Sequence, residues 1–421
     1  MLNIIKDLFG FDRQLLGAGY DSAIDYIKML IDLKIIEVKS GTKVGDWTVP
    51  PEWVVKDAWV KYKVDGKYAI GSDEKLLDYK KDPLCLSAYS IPVNQTMTLE
   101  ELKKRLYTSD DRPDAYEYST NFYERDWAFS LPKNKIKDLK EGEYEVFIDS
   151  EFREGTMKIG VHTIKGKSDR EVLLFAHLDH PYQANDNLSG VAALIDLTKI
   201  LKGRFDHTIK IIFCPETIGS IAYAETQDIS KVDFVIAVDA IGNDNILTIQ
   251  NAYDKTARIN NCIHQATISQ GADFRKGEFR YVLGSDEYYF NDPKVGIPGV
   301  FISRVPYPEY HTSDDKPEII KDEKLKEVQR VILRTIEIYE KDYIPKLKIK
   351  GVVMRSKYGI QAQDRLMNLQ IDKLFFSMDG KRYLTDLIAQ LGISFDNAYQ
   401  MLEKLGDKIT KVNGKKKAKR V

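Results

Sequence analysis

A histidine and two aspartates that stand close together in this chain could bind a divalent metal ion. His177, Asp179 and Asp186 lie in the stretch FAHLDHPYQANDNLSGVAALI, which spans residues 175–195. Imidazole nitrogen and carboxylate oxygen are both good zinc donors, and Asp179 is well placed to hold the ring of His177 through its second nitrogen. The alternative is an ordinary surface turn, in which Asp, Asn and Ser are common.

The flanking residues predict that this stretch begins at the end of a buried strand. The preceding residues, VLLFA at 172–176, are mostly branched or aromatic and favour a strand, whereas VAALIDL at 191–197 favours a helix. In α/β proteins, ligands bind outside the carboxyl ends of the strands. The order of strand, polar loop and helix therefore favours a ligand site over a surface turn.

Further polar motifs follow other apolar runs along the chain. The runs at 208–214 and 234–238 have the continuous apolar character of buried parallel strands, and a later strand is predicted at 298–302. These runs lead to Glu216, Asp239 and His311, respectively. Because the carboxyl ends of parallel strands share one edge of a sheet, we expect these side chains to meet the first motif there.

Taken in order, these motifs resemble those of the zinc aminopeptidases of the M28 type. The matching pieces are HLD at 177–179, DNLSG at 186–190, PETIG at 215–219, VDAIG at 238–242, GSDE at 284–287 and YHTSDD at 310–315. More narrowly, nearly the whole chain resembles aminopeptidase-like proteins that have an inserted domain and a C-terminal winged helix. Those proteins are often associated with polysaccharide biosynthesis. The ordered set of motifs is far more specific than any one of them.

The resemblance implies a metal centre in which two zinc ions share one carboxylate. Carried across to this chain, Asp186 bridges the two ions. His177 and Asp239 complete one site, and His311 belongs to the other. Asp239 could instead cap a turn, and His311 lies in an aromatic loop where a histidine is often unremarkable, but the surrounding motifs favour ligation for both.

The resemblance also implies catalytic and substrate-binding residues. Glu216 aligns with the general base of the family, and Asp179 acts behind His177. Asp286 and Glu287 would bind the ammonium group of a substrate or brace their own loop, and the sequence does not separate these two roles.

The chain departs from the family pattern at Thr217. The family usually has two adjacent glutamates, the first a base and the second a metal ligand, but here Glu216 is followed by threonine. Threonine is a poor zinc donor. Either the second site is weakened, or Glu216 or Glu287 supplies the missing oxygen, so the cofactor is one Zn²⁺ ion or two. The sequence assigns no role in the site to the other histidines, which include His180 and His207.

The predicted fold is an α/β fold with a zinc-peptidase-like mixed sheet flanked by helices, a small inserted β-rich domain and a C-terminal winged helix. The predicted domains are residues 1–43 with 131–344 for the peptidase-like part, 44–130 for the insertion and 345–421 for the winged helix.

Local patterns predict the elements of these domains. They predict helices at 21–33, after the Thr98 cap, at 325–343, at 383–391 and at 395–405, and strands at 54–70 around an Asp65–Gly66 turn, at 84–93 and at 408–412. They also predict strands at 144–148, 156–164 and 171–176 in the main sheet and a linker from Pro345.

Size and composition limit the classes of protein to which the chain can belong. The 421 residues carry a net charge of −1, which gives no general attraction to nucleic acid or anionic lipid. The three scattered cysteines fit a reducing compartment, and no secretory signal or membrane-spanning stretch is evident. We expect a cytoplasmic protein that binds neither membranes nor nucleic acid and whose C-terminal domain contacts a protein partner or a second copy. The basic segment 415–420 is expected to be a solvated end.

The sequence favours a zinc-dependent hydrolase of an amide or peptide bond, most simply an aminopeptidase acting on a small peptide or amide. Glu216 would be its general base, acting on a metal-activated water. Two alternatives stay open. One is an amidase or deacylase that acts on an amino sugar or a glycan precursor, and the other is a non-catalytic scaffold protein whose metal site has decayed at Thr217.

Overall fold

The computed structural model describes residues 1–64, 67–68, 75–361 and 364–412. The predicted Asp65–Gly66 turn and the basic segment 415–420 lie outside the described residues.

The α-helices and strands are numbered here in chain order. The α-helices are α1 (Leu2–Phe9), α2 (Ala18–Leu30), α3 (Leu99–Lys103), α4 (Leu188–Leu201), α5 (Ile218–Thr226), α6 (Arg258–Ser269), α7 (Asp322–Lys341), α8 (Arg365–Ser377), α9 (Leu384–Ala389) and α10 (Phe395–Leu405). The strands are β1 (Lys34–Lys39), β2 (Lys43–Val44), β3 (Trp47–Thr48), β4 (Glu52–Val64), β5 (Lys67–Tyr68), β6 (Leu77–Asp78), β7 (Val93–Thr98), β8 (Leu106–Tyr107), β9 (Phe129–Ser130), β10 (Glu143–Arg153), β11 (Thr156–Ile164), β12 (Glu171–His177), β13 (Thr208–Cys214), β14 (Val232–Asp239), β15 (Leu247–Gln250), β16 (Phe274–Gly277), β17 (Gly299–Ser303), β18 (Ile344–Leu347) and β19 (Ile409–Val412). Short 3₁₀ turns lie at Pro83–Cys85, Lys133–Asp138, Tyr289–Asn291, Pro317–Ile319, Arg355–Tyr358 and Gly406–Lys408.

The larger sheet is mixed, as predicted. Its strand order is β1-β11-β13-β12-β14-β17-β15-β16, and the four central neighbours β13, β12, β14 and β17 run parallel to one another. Both faces are covered, because Leu174 belongs to a buried cluster with residues of α1, α4 and α7, whereas Phe175 belongs to another with residues of α5 and the smaller sheet. The carboxyl ends of the central strands therefore share one edge, where the predicted motifs begin.

The smaller sheet contains a strand that the sequence assigned to the main sheet. β10 pairs antiparallel with both β4 and β7. The short strands β5 and β6 both pair with β4. The prediction that 144–148 belongs to the main sheet was therefore wrong. Tyr144, Val146 and Ile148 are buried while their neighbours are partly exposed, which is the pattern of a sheet that buries one face.

Two other local predictions were wrong. Residues 84–93 do not form a strand: Pro83–Cys85 is a 3₁₀ turn, and β7 begins only at Val93. A linker was predicted from Pro345, but Pro345 lies within β18, which pairs antiparallel with β19 near the end of the described chain. The boundaries of the three domains and the winged-helix assignment stay predictions.

The helix cap predicted at Thr98 is present in the structure. Thr98 caps α3 in a capping box with Glu101, whose side chain accepts from the Thr98 backbone N–H at 2.8 Å.

Within the described ranges, none of the helices combines the length and the apolar character that crossing a bilayer requires.

Candidate metal centre

His177 is the last residue of β12, at the centre of the parallel strands. Its side chain is fully buried, and its Nδ1 lies 3.3 Å from Asp179 Oδ1. The same oxygen of Asp179 accepts a hydrogen bond of 2.8 Å from the backbone N–H of Glu216. Asp179 therefore joins the loop after β12 to the loop after β13, and it orients the ring of His177 so that Nε2 faces the site.

The loop of the DNLSG motif is held in place by hydrogen bonds on both sides of Asp186. The Asn187 side chain caps α4 by accepting from the Gly190 N–H at 3.1 Å, and it donates to the Val238 carbonyl at 2.7 Å. Asp315 accepts from the Asp186 N–H at 3.1 Å. These bonds tie the loop to β14 and to the loop that carries His311.

Three histidines converge on Asp186. Its Oδ1 lies 3.1 Å from His177 Nε2 and 3.2 Å from His180 Nδ1. Its Oδ2 lies 3.0 Å from His311 Nε2, and Asp239 Oδ1 lies 3.4 Å from His177 Nε2. The structure thus brings together the four side chains that the sequence predicts as metal ligands, and it adds His180, which the sequence left unassigned.

The facing atoms of this cluster are suited to a metal ion. Four of them are buried and make no hydrogen bond of regular geometry to any residue that the structure describes, although each lies only 3.0–3.4 Å from a facing atom of the cluster: His177 Nε2, Asp186 Oδ2, Asp239 Oδ1 and His311 Nε2. Buried polar atoms nearly always have a partner. Tetrahedral zinc with bonds of about 2.0–2.1 Å separates its donor atoms by about 3.3 Å, and the observed spacings of 3.1 and 3.4 Å around His177 Nε2 agree with that value. The donor set therefore fits zinc.

Two groups of side chains are compact enough to hold an ion. One group is His177, His180 and Asp186, and the other is His177, Glu216 and Asp239. The donor atoms within each group lie within 4.8 Å of one another. Both groups use His177, and its Nε2 has a single lone pair, so this nitrogen can bind only one ion.

Glu216 and Thr217 lie between β13 and α5. The Glu216 side chain is 27% exposed, and its Oε2 lies 3.5 Å from His180 Nε2. The Thr217 N–H donates to Asp286 Oδ1 at 3.1 Å, and its backbone has a positive φ of 61°. Because Thr217 offers a hydroxyl in place of a carboxylate, the second glutamate of the implied metal site has no counterpart here.

Asp286 and Glu287 are buried and are already bonded within the protein. Asp286 accepts from the Thr217 N–H, and Glu287 accepts from the Ser285 N–H at 3.1 Å and from Gln250 Nε2 at 3.4 Å. Burial raises the pKa of Asp286 to about 7 and that of Glu287 to about 8. These contacts brace the loop that carries both carboxyls, and a role in binding a substrate ammonium group stays a prediction.

The charges of the cluster favour a cation. Burial alone would lower the pKa of His177 and of His180. For His177, Asp239 and Glu216 outweigh burial and raise the pKa well above its usual value. For His180, the charge of Asp186 outweighs burial and helps to raise the pKa to about 9. Burial raises the pKa of Asp239 to about 6, and repulsion from Asp186 acts in the same direction, so positive charge stabilises this group of acids.

Arg13 is a residue of the site that the sequence did not reveal. It is fully buried, and its guanidinium donates to the carbonyls of Leu178, His180 and Gln183 at 2.9, 2.7 and 2.9 Å. Arg13 therefore fixes the backbone of the loop after β12. No motif around Arg13 marks this role, because these three carbonyls lie far away from it in sequence.

The predicted inserted domain also reaches the cluster. The Tyr118 N–H donates to the His311 carbonyl at 2.8 Å, and the Tyr118 ring lies 5.3 Å from the ring of His180 and 5.4 Å from that of His311, measured between centroids. Nearby, Arg112 Nε and Nη2 donate to Asp314 Oδ2 at 2.8 and 2.6 Å. The inserted segment thus packs against the loop that positions His311.

Comparisons with known proteins agree with this architecture. The family model described as a domain of unknown function, DUF4910, matches residues 2–342. A protein of Clostridium acetobutylicum, whose name refers to polysaccharide biosynthesis and to an aminopeptidase-like domain, is 33% identical over 409 residues, which are 93% of this chain and 91% of the relative.

Solved structures share the fold. A Clostridium acetobutylicum crystal structure whose name refers to a peptidase superposes with a TM-score of 0.79 at 30% identity, over 98% of this chain and 96% of that chain. BSAP, a zinc aminopeptidase from Bacillus subtilis, superposes with a TM-score of 0.59 at 15% identity, over 80% of this chain and 93% of that chain. The chain therefore belongs to the DUF4910 family, and it has an aminopeptidase-like fold.

Proposed function

We propose that this protein is a zinc-dependent hydrolase of an amide bond, and specifically an aminopeptidase that acts on a small or unusual substrate. The observation that carries the proposal is the group of buried nitrogen and oxygen atoms around Asp186 that lie 3.0–3.4 Å apart without hydrogen bonds of regular geometry. The likeness in fold to a zinc aminopeptidase supports the same conclusion.

The metal would be held by the residues that face the cluster: His177, Asp186, Asp239 and His311. Zinc at this position would supply Lewis acidity, which polarises a carbonyl and lowers the pKa of a water to about 7. Asp179, which lies 3.3 Å from His177 Nδ1, would hold the ring proton on that nitrogen and so would leave the lone pair of Nε2 for the metal. Asp186, whose two oxygens face different histidines, is suited to the bridging role.

Glu216 would be the general base. Its carboxylate would take a proton from the attacking water and give it to the leaving amine. The bond from its backbone N–H to Asp179 fixes the position of the residue, while the partly exposed side chain can reach a substrate. Its place beside His177 and Asp239 also allows it to be a ligand, and the variants described in the Discussion separate these roles.

A second candidate keeps the site and changes the substrate to an N-acylated amino sugar or another glycan precursor. The name of the Clostridium acetobutylicum relative refers to polysaccharide biosynthesis, and the inserted segment places Tyr118 beside two histidines of the cluster. Since related folds host many activities, the name of a relative is an analogy and not a demonstration. A third candidate, a scaffold protein that binds metal without catalysis, is motivated by Thr217.

A substrate panel distinguishes the three candidates. Zinc-loaded protein is incubated with aminoacyl anilides and with N-acylated amino sugars, with and without a chelator. The proposal predicts turnover of the anilides that the chelator abolishes. Turnover of the acylated sugars alone would favour the second candidate, and stoichiometric zinc without turnover of either class would favour the third.

A further inference from the structure

Thr217 leaves the metal cluster one donor short of the set that the family pattern implies. The missing donor would have to come from another side chain of the cluster. Glu216 is one candidate, because it lies with His177 and Asp239, but it is also the best-placed general base. His180 is a second candidate, and its surroundings differ from those of His162 and His207.

His180 lies inside the cluster and not at its rim. Its side chain is 7% exposed, its Nδ1 lies 3.2 Å from Asp186 Oδ1, and its Nε2 lies 3.5 Å from Glu216 Oε2. The spacing to Asp186 matches the separation of about 3.3 Å between donor atoms on tetrahedral zinc. The donor atoms of His180, His177 and Asp186 all lie within 4.8 Å of one another.

The backbone around His180 is shaped to hold the ring in this position. His180 has a positive φ of 66°, a conformation that residues other than glycine rarely adopt. Its carbonyl accepts a bond of 2.7 Å from the buried guanidinium of Arg13, and its ring packs against Tyr118. Strained residues of this kind are retained where the surrounding structure fixes them, most often at functional sites.

The contacts of His180 differ from those of a structural histidine. His162 Nδ1 lies 2.6 Å from the Asp32 carbonyl, an ordinary backbone contact. His207 lies between two carboxylates, Asp233 and Glu340, which are not shared with another histidine. Asp186, in contrast, faces the rings of His177, His180 and His311 at once, with one nitrogen of each ring 3.0–3.2 Å from a carboxylate oxygen. Three imidazole rings around one buried carboxylate are the arrangement of a metal site and not of a single structural histidine.

We propose that His180 is a direct metal ligand, which acts with His177 and Asp186 and supplies the donor that Thr217 does not provide. This inference rests on the proposed function for the presence of a metal, and it assigns this chain a donor set different from the one that its motifs imply. It also leaves Glu216 available as the general base.

The test replaces His180 with cysteine and uses cobalt as the probe. Co²⁺ accepts the same nitrogen, oxygen and sulfur donors as zinc, and a thiolate bound to it produces a charge-transfer absorption in the near ultraviolet. We expect this absorption in Co²⁺-loaded His180→Cys and not in the wild type. His207→Cys is the matched control, because it places a new thiol between two acids away from the cluster, and it should show no such band.

Metal affinity provides a second readout that does not depend on the thiol. His180→Ala should weaken Co²⁺ binding by more than about 100-fold, since loss of an outer partner alone usually costs about 10–100-fold. His180→Asp, which replaces the nitrogen donor with an oxygen donor, should retain more metal than His180→Ala, and His207→Ala should bind as the wild type does. Circular dichroism checks that each variant is folded.

The outcomes separate the inference from the proposed function. A folded His180→Cys protein that binds Co²⁺ as tightly as the wild type without the thiolate band would overturn the inference and leave the proposed function intact. Unchanged Co²⁺ affinity in His180→Ala would do the same. A wild-type protein that binds neither zinc nor cobalt would contradict both.

Discussion

Asp186 and Glu216 are both carboxylates near His180, but their surroundings suit them to different tasks. Asp186 is almost completely buried, with histidine nitrogens within 3.2 Å of both of its oxygens. The Glu216 side chain is 27% exposed, and its Oε2 lies 3.5 Å from His180 Nε2. A metal ligand needs the first environment, and a base that exchanges protons with water and substrate needs the second.

Removal of the Asp186 carboxylate should therefore abolish metal binding and activity together. In Asp186→Ala, the three facing histidines lose the charge and the oxygen atoms that they share. We expect the zinc content to fall well below that of the wild type and anilide turnover to fall with it, as measured by elemental analysis and a rate assay on the same sample. Wild-type zinc content in this variant would show that the cluster is held by other residues.

Glu216→Gln should separate metal binding from catalysis. Glutamine keeps the shape of the side chain but cannot accept the proton, so the rate should fall by roughly 10²–10⁴ while zinc stays bound. If zinc is lost as it is in Asp186→Ala, Glu216 is a ligand and another group, with Glu287 first among the candidates, must serve as the base. A folded, zinc-bound Glu216→Gln protein that hydrolyses amides at the wild-type rate would exclude Glu216 from both roles.

Single residues also show what the sequence could and could not predict about the site. His177, Asp186, Asp239 and His311 come together because each lies at the end of, or in the loop after, a strand whose apolar run was visible in the sequence. His180 was not predicted, because its approach to Asp186 depends on a positive φ that no motif announces.

At the scale of elements, sequence patterns predicted the central strands well and their partners less well. β12, β13 and β14 are almost entirely buried, so their apolar runs were unambiguous. β10 was recognised as a strand but was placed in the wrong sheet, since pairing with β4 and β7 is a long-range choice that a local pattern does not record. Residues 84–93 are apolar because Cys85, Leu86 and Tyr89 are buried in a hydrophobic core and not because they form a strand.

The starts of β13 and β14 are tied to the end of α7 by a histidine between two acids. His207 Nδ1 lies 2.9 Å from Glu340 Oε1, and its Nε2 lies 3.0 Å from Asp233 Oδ2. Burial alone would lower the pKa of His207, but the two carboxylates outweigh burial and raise the pKa. The folded state therefore favours the protonated ring.

This arrangement predicts a pH-dependent contribution to stability. Because the folded-state pKa of His207 lies above the unfolded value of about 6.5, its contribution is fully present below that value and is lost as the pH rises through the folded-state pKa. The difference in unfolding free energy between the wild type and His207→Gln should therefore shrink from pH ~6 to pH ~9, as measured by denaturant unfolding. A difference that grows over this range would contradict the assignment.

At the scale of the whole molecule, the C-terminal helices are docked onto the helices that cover the main sheet. Thr385, at the start of α9, donates to Asp342 from its N–H at 3.2 Å and from its hydroxyl at 2.7 Å. Arg258 on α6 donates to the same carboxylate at 3.1 Å and stacks on Tyr339 and Tyr383. The sequence predicted helices on both sides of this contact, but it placed a linker at Pro345 where the structure has a paired strand.

Asp342 should therefore control how firmly the last part of the chain is attached. Asp342→Ala leaves Arg258 without its buried acidic partner, which typically costs roughly 3–5 kcal/mol. We expect a lower unfolding free energy and faster proteolytic cleavage within residues 345–412. Asp407→Ala, which removes an exposed acid bonded to Lys408, is the control and should behave as the wild type does. Equal cleavage of the two variants would show that Asp342 does not anchor this segment.

The proposed function as a zinc-dependent hydrolase depends on whether the cluster around Asp186 holds a metal that the protein uses for hydrolysis. The most direct measurement determines zinc per chain and anilide turnover on the same wild-type sample, before chelation, after chelation and after zinc is returned. We predict stoichiometric zinc at the start, parallel loss of zinc and turnover with the chelator, and recovery of both when zinc is restored. Turnover that persists after the zinc has been removed, or a purified protein that takes up no zinc, would contradict the account.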